Sequence, residues 1–158
     1  MTKRCFLFLC CLFLAFGSAS AQDELLKIEC SIMPRQILQG EEGLLKMKII
    51  VRDGVRISAN PEFLIRLNEN EGLSFAKIFF TGSELNLTTT QDKDGVFLDP
   101  RKEIEVPFTL SEDALLGNLT VSGEVVFTML FPDNWSVKTT QKFSAGFVSR
   151  RNYKIRKK

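Results

Sequence analysis

The chain has 158 residues, with 21 basic and 19 acidic side chains, four cysteines and no histidine. The missing histidine excludes Ser-His-Asp and Cys-His catalysis and histidine-based zinc sites, and it removes the usual pH switch. The small net charge of +2 argues against nucleic acid as a partner.

Lys3 and Arg4 open the chain, an uncharged apolar run follows from Cys5 to Phe16, and Ala19-Ser20-Ala21 precedes the polar Gln22, Asp23 and Glu24. Charge, apolar core and small-residue site in that order form a secretory signal, with cleavage expected after Ala21. Twelve apolar residues fall short of the roughly 20 that a spanning helix needs. The short positive start and the cleavage site fit bacterial export, so the expected location is periplasmic or secreted. Removing 21 residues from 158 leaves 137, one domain's worth, and with Lys3 and Arg4 gone the charges balance at 19 against 19.

Three cysteines (Cys5, Cys10 and Cys11) leave with the signal, so Cys30 is alone in the mature chain and forms no internal disulfide. Its alternation with Ile28 and Ile32 places it on a strand. Two readings stand: a small inert core residue, or a thiol that pairs with a partner protein. The apolar setting weighs against the second, because reactive thiols need exposure and positive neighbours.

Period-two alternation continues down the chain. Leu45, Met47, Ile49 and Val51 alternate with Lys46, Lys48 and Arg52, predicting a half-buried strand. Gly54 and Asn60-Pro61 punctuate the chain before a strand on Phe63, Ile65 and Leu67. Phe75–Phe80 predicts a fourth strand and the threonine-rich Leu85–Thr90 a fifth. Asp92-Lys93-Asp94-Gly95 resembles a calcium loop, but that register puts Thr90 and Arg101 where carboxylates are required, so a tight turn is expected. The carboxylate pairs Glu69/Glu71 and Asp92/Asp94 lie in charged turn segments where ordinary solvation explains them.

Ile104, Val106, Phe108 and Leu110 share one face of a strand, with Pro107 in the outward phase, which predicts a sheet edge or a bulge. Ser111–Leu116 reads as one helical turn stopped by Gly117. Leu119–Leu130 is the longest extended run, with Val121, Val125, Phe127 and Met129 inward. Val137–Phe143 and Ala145–Val148 complete the set. Seven to nine short strands and no convincing helix predict an all-β, two-sheet antiparallel β-sandwich over residues 22–149. Of 14 phenylalanines four leave with the signal, and the remaining ten would fill the space between sheets.

Residues 150–158 form a basic C-terminal tail in which six of nine positions are Lys or Arg. It is either a solvated end or an element drawn weakly to an anionic surface, where Tyr153 and Ile155 add little depth. N-x-S/T sequons stand at Asn86, Asn118 and Asn134. Phe131-Pro132-Asp133-Asn134-Trp135 carries the only tryptophan. Either Trp135 folds back onto the core, or Phe131 and Trp135 are exposed anchors for a peptide or protein partner.

The order of features from Gly43 to Phe147 resembles the N-terminal periplasmic domain of the DsbD thiol:disulfide interchange proteins. The residues concerned are the strand Leu44–Arg52 with the passage Asp53–Pro61, Val106-Pro107-Phe108-Thr109-Leu110, the turn at Gly117, and Gly123-Glu124-Val125-Val126-Phe127 leading into a loop. The resemblance implies an immunoglobulin-like scaffold and a redox cysteine pair around that loop. Here Met129, Leu130, Phe131 and Trp135 stand there instead, which excludes exchange by an internal dithiol. The expectation is a non-catalytic protein-binding or accessory module of the cell envelope with no cofactor and no metal. A cell-surface adhesion module, or a redox accessory acting through Cys30, is the alternative.

Overall fold

A computed structural model describes residues 25–60, 63–99, 101–133 and 135–154. The expected export signal (residues 1–21), Pro61, Asn134 and the last four tail residues lie outside the described residues. The chain forms β1 (Leu26–Met33), β2 (Gln36–Leu38), β3 (Glu42–Val51), β4 (Arg56–Ser58), β5 (Leu64–Leu67), β6 (Leu73–Phe75), β7 (Phe79–Thr81), β8 (Thr89–Asp92), β9 (Gly95–Leu98), β10 (Ile104–Leu110), β11 (Gly117–Leu130) and β12 (Ser136–Arg150). One sheet has the order β1-β3-β10-β6. The other runs β2-β12-β11-β4-β9-β8, with β5 also paired to β11 and β7 beyond it. These are the two sheets of an immunoglobulin-like sandwich, with β1 and β6 outermost in the first and β12 and β11 side by side within the second.

Alternation builds the core between them. Leu45, Met47 and Ile49 of β3 face Val121, Val125, Phe127 and Met129 of the opposite sheet, all buried. Phe108 lies between Phe75 and Phe147, with ring centroids 5.7 and 5.6 Å away in tilted geometry. No cysteine bridges the sheets among the described residues, so apolar packing and the two ladders carry the fold.

The first sandwich strand changes sheets. β1 pairs antiparallel with β3, and after Pro34 the chain continues as β2, which lies parallel to the end of β12. That parallel ladder departs from the wholly antiparallel sandwich expected. Several elements are also divided differently. The Phe75–Phe80 segment is two short strands in opposite sheets, β6 and β7, separated by exposed Ala76 and Lys77 and half-buried Ile78. Leu85 and Asn86 belong to a turn in which the Leu85 N–H donates to the Thr81 carbonyl, and strand begins only at Thr89. The two segments expected after Trp135 are one continuous strand of 15 residues, because Ser144 keeps the outward phase while Phe143, Ala145 and Phe147 keep the inward one. Ser111–Leu116 closes a single turn, with the Ala114 N–H donating to the Ser111 carbonyl at 3.2 Å.

Pro107 lies in the interior of its sheet, yet its placement obeys the edge rule. Leu110 donates to the Glu41 carbonyl, so the even residues of β10 face β3 and Pro107 faces the other side. There β6 begins pairing only at Phe108, and no ladder bond is lost at the proline.

Gly123 of β11 marks the tightest approach of two strands. A Cβ there would fall on the Arg66 carbonyl oxygen and within 2.8 Å of the Phe143 ring. Gly123→Ala should therefore lower unfolding free energy by about 2 kcal/mol or more in urea titration. An unchanged midpoint would show that the β5–β11 spacing is loose.

Candidate functional site

The β11–β12 hairpin holds the aromatic stretch. Its ladder runs without interruption from Gly117↔Ser149 to Leu130↔Ser136, and the Phe131 N–H then closes the end on the Trp135 carbonyl at 3.1 Å. Pro132 and Asp133 make the turn. The Phe131 and Trp135 rings stack near-parallel, 7° between planes, with centroids 4.0 Å apart. Phe131 is partly buried and packs against the core, whereas Trp135 is 51% exposed. The indole thus lies outside the core on a phenyl ring that the core holds, and a stacked pair of this kind is worth about 1 kcal/mol beyond its buried area.

Neighbouring segments reinforce this end. Leu130 pairs with Arg56 at the start of β4, and the β3–β4 turn is closed by the Val55 N–H donating to the Arg52 carbonyl at 3.1 Å. Gly54 in that turn has φ +84° and approaches Pro132, so the hairpin tip and this turn form one surface.

Asp92 and Asp94 are in the expected turn, where the Asp94 N–H donates to Asp92 Oδ1 at 2.8 Å. Both carboxylates are engaged by Arg56, with 3.1 Å from Nη2 to Asp94 Oδ2, while the guanidinium lies 4.0 Å over the Phe97 ring. One guanidinium bridges the two carboxylates and so ties the start of β4 to the β8–β9 turn. Glu69 and Glu71 are both exposed.

Cys30 is half-buried on β1, opposite Met47 of β3. It lines a cleft of about 420 Å³ with Ile32, Arg35, Leu119 and Phe147. Burial disfavours the thiolate and pushes its pKa up to about 11. The inert reading and the reactive reading differ in the thiolate fraction, which that shift makes very small at neutral pH.

No protein-family model matches the chain, and no curated protein matches it. Among solved structures it is similar to the major pilin subunit BcpA of Bacillus cereus, with TM-score 0.44 and 7% identity over 80% of this chain, which spans 40% of the length of BcpA. It is also similar to self-complemented MyfA, the major subunit of Myf fimbriae from Yersinia enterocolitica, at TM-score 0.36 and 15% identity, over 78% of this chain and 98% of that one. Murine CRIg gives TM-score 0.32 and 11% identity, over 79% and 98%. At these scores the likenesses carry no functional argument, and the immunoglobulin-like assignment rests on the strand pairing itself.

The thiol chemistry has a direct check. At pH 8 native Cys30 should react with a disulfide reagent about a hundredfold more slowly than the same residue in denaturant, the gap narrowing as pH rises toward 11. Equal rates would show an accessible thiolate and restore the reactive reading.

Proposed function

We propose that the domain is an exported, non-catalytic binding module of the cell envelope or cell surface that grips a protein partner with the tip of the β11–β12 hairpin. The observation that carries this reading is the Phe131–Trp135 stack, in which a core-held ring supports a half-exposed indole. Tryptophan is favoured as a binding anchor because it offers a large rigid contact area at small entropic cost. The setting supports it further, since loops at the ends of sandwiches carry recognition while the sheets hold them in place.

Of the two forms this takes, the surface-interaction or adhesion form has the better support. The hairpin runs 14 paired residues from base to tip, which separates the aromatic end from the opposite end by roughly 43 Å. The narrower form, an accessory of a thiol:disulfide interchange system as the DsbD resemblance implies, keeps the sandwich but has a half-buried thiol of raised pKa and, among the described residues, no second cysteine.

Trp135→Ala tests the reading. Capture of envelope or surface proteins on the immobilised domain should fall by roughly thirtyfold in affinity, the equivalent of about 2 kcal/mol, with the melting temperature held. In the wild-type protein the sole tryptophan should be quenched by acrylamide when free and shielded when the partner is bound. A large fall in melting temperature, or capture that survives the substitution, would defeat the proposal.

A further inference from the structure

At the end of the β11–β12 hairpin opposite Trp135, one residue ties three segments together. Gln39, just past β2, donates its backbone N–H to the Arg150 carbonyl at 2.9 Å and its side-chain amide to the Ala114 carbonyl at 2.7 Å. Its own carbonyl accepts from Asn152 Nδ2 at 3.1 Å. The turn Ser111–Leu116 and the segment after β12 are thereby held on either side of β2. An open groove of about 790 Å³ lies here, lined by Leu38, Leu116, Val148 and Tyr153 together with Arg151 and Lys154. Ser149 also lines it, and its buried hydroxyl has no hydrogen-bond partner among the described residues.

Tyr153 and Leu115 are the most exposed large apolar side chains among the described residues, at 78% and 76%, and Leu116 is exposed beside them. Arg150, Arg151 and Lys154 are exposed, and among the described residues none forms an ion pair. Glu41, Glu42, Glu112 and Asp113 are the acids at this end, and after Lys154 the sequence adds Arg156, Lys157 and Lys158. Neighbouring leucines, a tyrosine and unpaired cations at one extremity match the boundary of a bilayer. The leucines reach the acyl region, tyrosine suits the headgroup level, and the cations meet anionic lipid.

We propose that this end of the domain docks on an anionic phospholipid surface. The proposal uses none of the residues at the aromatic tip, so either reading can fail alone.

The test is co-sedimentation of the purified protein with phosphatidylcholine vesicles, with and without phosphatidylglycerol. Binding is expected only with phosphatidylglycerol. Arg150→Gln, Arg151→Gln and Lys154→Gln combined should weaken it about a hundredfold, near fivefold for each cation. Leu115→Ser with Leu116→Ser should weaken it at least tenfold at unchanged melting temperature, as both are exposed, and Trp135→Ala should leave it unchanged. Absence of binding to the anionic vesicles would overturn the proposal. So would binding that is abolished by removing residues 155–158 yet untouched by the leucine substitutions, because the tail alone would then account for it.

Discussion

The unbroken pairing of β11 with β12 is the constraint on which everything else in the molecule depends. Fourteen residues of one strand meet fourteen of the other without a bulge. Since side chains alternate strictly along a strand, a slip of one residue would turn out of the core either Val121, Val125, Phe127 and Met129 of β11 or Phe143 and Phe147 of β12. The same register places β5 against the middle of β11, β4 against its end and β2 against the end of β12. One ladder thus organises the larger sheet, and it also sets the distance between the two ends of the sandwich.

The chemistry follows from how completely this ladder and its core consume the reactive groups. The one thiol among the described residues, Cys30, is half-buried, opposite a methionine. The two turn aspartates are bridged by Arg56, and Asp99 is held well below the usual carboxylate range, at about 2, by the Arg101 guanidinium. The two ends of the hairpin carry exposed apolar side chains, Trp135 at one and Leu115, Leu116 and Tyr153 at the other.

How much of this could be read from the sequence depended on whether one face of a segment is buried. β3, β10 and β11 alternate because each has one face in the core, and their inward residues were legible at once. β8 is exposed at every position and carries no apolar signal. β2 and β4 are too short for a period to register. Phe75–Phe80 looked continuous because aromatic residues stand at both ends, although the chain crosses between sheets in the middle. The aromatic pair was visible as composition, but its stacking required the hairpin to bring residues four apart into contact. The basal groove was missed for the opposite reason: Gln39, an unremarkable polar residue, assembles it from three distant segments. The adjacent Leu115 and Leu116, which break the alternation beside a glycine, were the available signal.

Placing the start of β11 and the end of β12 at the same extremity governs how the domain would bear mechanical load. A pull on the hairpin tip against a fixed base runs along the strands, perpendicular to the bonds that hold β11 to β4 and β5. Those bonds would be strained together in shear instead of peeling one after another. A module built this way resists tension best along its own long axis.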